Sequence, residues 1–176
     1  KQATGVALGF VEADHMEHTS VETLTDQKWP MFAGIDFGAW RFSFVLAASD
    51  RAKRLHILDE LFSQQETLTV RAEAIHRLLT KYNAPARTPI WGDSANPQDI
   101  MELNAALRKL QSPYVVRSVS KTSTEGKRYR AACVERLNDL LGRRALLFHR
   151  GIGKGQTWYK GASVASQGRM VNGSRL

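Results

Sequence analysis

Three strand-like runs, residues 31–36, 41–48 and 55–61, follow one another across gaps of only a few residues, 37–40 and 49–54. Runs spaced this closely can only fold back on themselves, so the spacing predicts an antiparallel meander. Beyond it, strands and helices alternate. Residues 69–82 set Val70, Ile75, Leu78, Leu79 and Tyr82 on one side at helical spacing and stop before Asn83-Ala84-Pro85. The short run Pro89-Ile90-Trp91-Gly92-Asp93 comes next, and Asn96-Pro97-Gln98-Asp99 then supplies a capping side chain, a first-turn proline and an early acid. That is a helix start, and Ile100, Leu103, Leu107 and Leu110 continue it. Residues 114–119 read as a strand. Thr122-Ser123-Thr124-Glu125 resembles a capping box for a helix with Tyr129, Cys133, Leu137, Leu140 and Leu141 inward, closed by Gly142 and followed by a strand at 145–148. Three antiparallel strands, then helix, strand, helix, strand, helix, strand: the order predicts an α/β fold with a mixed central sheet and helices on both faces.

The chain of 176 residues, 43% hydrophobic and 24% charged, is long enough for one domain with a real core. Its first 28 residues are small and polar, with five acids and no Lys or Arg between Glu12 and Asp26, and are expected to be an acidic linker or N-terminal arm before a domain at 29–176. The net charge of +8 is unevenly placed. Residues 1–107 carry 10 Lys and Arg against 14 Asp and Glu, whereas residues 108–160 carry 13 against 3. Such asymmetry suits a surface that meets a polyanion, although a solvated basic helix face would give the same count.

The lone Cys133 cannot form an internal disulfide and points to a reducing compartment. No apolar run approaches the roughly 18 residues of a membrane span, so a soluble protein with no membrane partner is expected. The abrupt start at Lys1 and stop at Leu176 suggest a fragment of something longer.

Two of the predicted strands end on an aspartate, Asp36 and Asp93. Ligand sites in α/β sheets lie where strand ends open outward, and two carboxylates converging there are what a hard Mg²⁺ or Mn²⁺ ion requires. If the two strands are parallel neighbours, the carboxylates meet. In two-metal phosphodiester hydrolysis one carboxylate bridges both ions, and Asp36 is the candidate for that role. Singly, an aspartate after a strand often just forms an Asx-turn. Glu60, at the end of the third run, is a further candidate neighbour; Glu135 and Asp139 sit inside a helix and should face solvent. His15, His18, His56, His76 and His149 show no ligand spacing and read as structural or surface residues. The glycine-rich basic stretch from His149 lacks the Walker A spacing.

The order of elements, the Gly34-Ile35-Asp36-Phe37-Gly38 strand end and the Trp91-Gly92-Asp93 strand end resemble the ribonuclease H-like fold, and within it the nuclease domain of phage terminase large subunits. The resemblance covers about residues 30–165, including the helix opening at 121–130 and the Trp158-Tyr159 region. It implies a metal-dependent endonuclease that cuts double-stranded viral DNA during packaging, with Asp36 and Asp93 as catalytic metal ligands and two Mg²⁺ or Mn²⁺ ions. A separate N-terminal ATPase domain, the portal and the small terminase subunit are the implied partners, and the host cytoplasm the implied location. The family also places acidic ligands on a C-terminal helix, whereas here no Asp or Glu follows Asp139, so the missing ligands are expected beyond Leu176.

Lys121, Lys127, Arg128 and Arg130 at a helix start, and Arg150, Lys154 and Lys160 beside Trp158 and Tyr159, are the candidate DNA-backbone contacts. Two other readings remain: a non-catalytic DNA-binding or docking module of the same fold, and a sugar kinase or actin-like ATP-binding domain, whose first phosphate loop also looks like Gly-Ile-Asp-Phe-Gly. The latter needs a second domain and an adenosine loop with no counterpart here.

Overall fold

A computed structural model of the chain describes residues 10–17, 21–38, 41–93, 97–119 and 123–149. Among these, the strands are β1 (Met16–Glu17), β2 (Met31–Phe37), β3 (Phe42–Ser49), β4 (Leu55–Ser63), β5 (Ile90–Asp93), β6 (Val116–Val119) and β7 (Leu146–His149). The helices are α1 (Glu12–His15), α2 (Val21–Asp26), α3 (Leu68–Lys81), α4 (Pro97–Lys109) and α5 (Ser123–Gly142). The expected turn residues 39–40 and the caps Asn96 and Thr122 lie outside the described residues.

One sheet runs β1-β7-β4-β3-β2-β5-β6. β2, β3 and β4 form the antiparallel meander, while β5, β6, β7 and β1 all pair in parallel. Strand alternation divides the sheet into two unlike faces. On the first, Ala33, Ile35, Phe37, Phe42, Phe44, Leu46, Ile90 and Val116 are buried beneath Ala72, Ile75, Leu78 and Leu79 of α3 and Ile100, Leu103 and Leu107 of α4. Each fully buried large side chain contributes roughly 1.5–3 kcal/mol, so this layer dominates the stability. A register shift between Leu46 and Ala47 lets consecutive residues Leu58 and Asp59 both turn toward α3. There the Tyr82 hydroxyl (3.0 Å) and Lys81 Nζ (3.0 Å) bind the Asp59 carboxylate. Asn104 of α4 holds edge strand β6, donating to the Val116 carbonyl (2.9 Å) and accepting from its N–H (2.8 Å).

The second face is covered more sparingly. α5 meets it through Leu140 and Leu141, which pack with Leu146, Leu55 and Ile57. Cys133 and Leu137 of the expected inner stripe are exposed, and among the described side chains it is Leu140 and Leu141 in the last turn that pack on the sheet; the side chain of Tyr129 lies outside the described residues. Val70 is likewise 40% exposed, lying in the first turn of α3 before that helix closes over the core. The segment expected to be a linker or arm docks on the sheet edge. β1 extends the sheet beside β7, Leu24 joins the main core, and buried His15 is hydrogen-bonded to the Leu141 carbonyl (2.9 Å). Its few apolar residues were outweighed in the sequence by the acids around them.

Gly92 sits where β5 passes under α4. A Cβ there would meet Phe37 Cε2 at 2.9 Å, Val116 Cγ1 at 3.2 Å and Ile100 Cδ1 at 3.3 Å. Gly92→Ala should therefore cost about 1–3 kcal/mol by overpacking, read as a lower denaturant midpoint. At the other end of the sheet, Asp50 accepts from the Arg54 N–H (2.8 Å), Arg54 Nε (2.7 Å) and His56 Nε2 (3.3 Å). Burial pushes its carboxyl pKa up, but the hydrogen bonds from Arg54 and His56 and the Arg54 charge outweigh it and hold the group below its ordinary value. A lowered folded pKa contributes stability that is present above the unfolded value and lost as pH falls through the folded one. Asp50→Asn should cost about 1–2 kcal/mol at neutral pH and less below about pH 4, checked by urea unfolding across that range.

Candidate metal centre

The two strands that end on aspartates are parallel neighbours. β2 pairs with β5 through Ala33 with Ile90, Gly34 with Trp91 and Ile35 with Gly92. Carried one residue further, this register sets Asp36 beside Asp93 at the carboxyl ends of strands about 4.8 Å apart. Since Ile35 and Gly92 turn to the core, Asp36 and Asp93 share the second, open face. Asp36 is exposed and Asp93 half-buried. Gly38 follows directly, in a turn so tight that a Cβ would run into the backbone oxygen of Arg41. The chain thus leaves the site at once and returns as β3.

The other acids lie elsewhere. Glu60 shares the open face, but it pairs with Val45, which pairs with Gly34. It is thus two strands across and two residues back from Asp36, about 12 Å away by sheet geometry. Asp139 is exposed and engaged with Arg136 (2.9 Å) and Arg143 (2.6 Å), and Glu135 is exposed. Among the described residues no group of three or more His, Cys, Asp or Glu is placed to hold a metal ion. The histidines are in structural settings: His56 is buried against Trp29, and His76 Nδ1 is bonded to Ser112 Oγ (3.1 Å). His18 lies outside the described residues.

The Asp36–Asp93 pair suits a hard divalent cation. Both donors are carboxylate oxygens on rigid strands, and Asp36 is exposed, as a hard ion that keeps waters and takes phosphate oxygens in a roughly six-coordinate shell requires.

Of the candidate DNA contacts, Lys127, Arg128 and Arg130 fall in the N-terminal half of α5. That helix opens four residues after Val119, which is in register with Asp93. The chain connection therefore starts them at the carboxylate end of the sheet. Lys121, Arg150, Lys154 and Lys160, with Trp158 and Tyr159, lie outside the described residues. Sequence reasoning passed over two residues of the open face, Trp91 and Arg117, which are exposed and paired with each other one step back from Asp93. The signal was present in the two-residue spacing from Trp91 to Asp93.

No known family profile and no curated protein matches the sequence. Among solved structures, the nuclease domain of the large terminase (g2p) of bacteriophage SPP1, determined with bound Mn, is similar at a TM-score of 0.56 and 20% identity, over 79% of this chain and 71% of that one. The large terminase of bacteriophage HK97 is similar at a TM-score of 0.55 and 8% identity, over 79% of this chain. The chain spans 33% of the HK97 protein's length. At these identities the likeness is one of fold, and on it the chain has the ribonuclease H-like fold of phage large terminase nuclease domains.

Proposed function

We propose that the chain is the nuclease domain of a phage DNA-packaging enzyme, a Mg²⁺- or Mn²⁺-dependent endonuclease acting on double-stranded DNA with little sequence preference. The observation that carries this reading is the pairing of β2 with β5, which sets Asp36 and Asp93 side by side on the open face at the strand ends. The likeness to a terminase nuclease domain determined with bound Mn adds support. Asp36 and Asp93 would hold the metal, with Asp36 as the bridging ligand if two ions bind. When bound, such ions polarise a phosphodiester and supply an activated water. The carboxylates' own part is to fix cation and substrate phosphate on one rigid edge. The further acidic ligands would come from a longer protein, since the residues outside the described part include no Asp or Glu. An N-terminal ATPase domain, portal and small terminase subunit are the partners that this reading adds.

The backbone contacts proposed at Lys127, Arg128 and Arg130 position a duplex without reading its bases, which is the basis for weak sequence preference. Basic residues at Lys121, Arg150, Lys154 and Lys160 would extend the same track.

With the acidic C-terminal helix of the longer protein restored, supercoiled plasmid should be cut only in Mg²⁺ or Mn²⁺, and Asp36→Asn should abolish cutting while duplex binding persists. Equal cleavage in EDTA, or by the Asp36→Asn protein, sinks the reading; binding with no cleavage under any divalent ion, even with the full-length protein, favours the docking module. Lys127→Ala combined with Arg128→Ala should lower duplex affinity and reduce the slope of log affinity against log salt by about two. An unchanged slope, measured by titration at several salt concentrations, places the DNA track elsewhere.

A further inference from the structure

The open face carries a slot one residue pair behind the two aspartates. Its floor is Gly34, which is exposed, and the space where a Cβ would stand has no atom within 4 Å. Val45 on β3 pairs with Gly34 on one side, and Trp91 on β5 pairs with it on the other. Paired residues of neighbouring strands project from the same face, so Val45 and Trp91 form two walls about 9–10 Å apart between backbones. After allowance for the side chains, that gap suits a single planar ring. Trp91 is 42% exposed, a large aromatic surface left open to a stacking partner. The row is also polar in one direction: beyond Trp91 lies exposed Arg117, and beyond Val45 lies Glu60.

We infer that this slot takes one unstacked base of the DNA strand being cut, sandwiched against the Trp91 indole. The inference rests on the nuclease reading above, because it is the position of the scissile phosphate over Asp36 and Asp93 that brings a neighbouring nucleotide over Gly34. Gly34 and Asp36 are two residues apart on one strand, about 6.7 Å, within the reach of a nucleotide adjoining that phosphate. Stacking on an aromatic side chain is sequence-tolerant, since every base has a π-face. The exposed Arg117 sets the orientation: the sugar-phosphate lies on the Arg117 side. A base can enter only by leaving its duplex partner, which is cheapest where pairing is already broken. The enzyme therefore prefers duplexes with an unpaired step at the cut.

The test uses the full chain carrying Asp36→Asn, so that binding is read without cleavage, and two labelled duplexes, one fully paired and one with a central mismatch. The Asp36→Asn protein should bind the mismatched duplex about tenfold more tightly. Adding Trp91→Ala or Gly34→Leu should bring the two affinities to parity, and Trp91→Phe should keep most of the preference. Gly34→Leu should unfold at an unchanged temperature, because its side chain enters empty space on a strand. Equal affinity of the parent for both duplexes, or a preference that survives Trp91→Ala, overturns the inference. So does a marked drop in melting temperature for Gly34→Leu, which would mean that the chain itself fills the slot. Failure of the full-length protein, otherwise unchanged, to cut any DNA with Mn²⁺ would instead remove the nuclease reading, so the two failures are separable.

Discussion

The parallel pairing of β2 with β5 is the contact on which the rest depends. It joins the meander to the alternating half of the chain, and its register decides which side chains stand together at the strand ends. The pairing is possible because Gly92 leaves room for Phe37, Val116 and Ile100 to close over it. The same residue that lets the core close thus fixes the position of Asp93 beside Asp36. A slip of one residue would send one carboxylate into the core and the other out to solvent.

The two faces of the sheet divide the work. One face is apolar across its width and is sealed by α3 and α4, with Asp59 and Asn104 satisfied where polar groups intrude. That layer makes the strands a rigid platform. The other face meets α5 chiefly through Leu140 and Leu141, away from the aspartates, and keeps Asp36, Gly34, Trp91 and Arg117 exposed. The stabilising core and the candidate metal centre therefore lie on opposite sides of the same strands, where substitutions on one side need not disturb the other.

Much of this was legible because hydrophobic period is a local property. The strands at 31–37, 42–49 and 55–63 and the helices at 68–81 and 97–109 all announce themselves within their own windows. The terminal aspartates were legible too, since a strand that stops on a carboxylate and a turn is a local pattern. What failed did so for want of tertiary information. α5 has an apolar stripe longer than the part that touches the sheet, and α1, β1 and α2 are too short to show a period of their own.

Sequence alone determined the kinds of element from β2 onward, their order, the two aspartates at strand ends and the concentration of basic residues after Leu107. Each follows from neighbours along the chain. Only the tertiary structure decided that β5 lies beside β2, in a register that unites Asp36 with Asp93 and leaves Glu60 apart. It likewise placed Gly34 between Val45 and Trp91, with no atom within 4 Å of where a Gly34 Cβ would stand. The physical reason is that strand pairing joins residues more than fifty positions apart, and its register is set by packing beneath the sheet, which no local window contains.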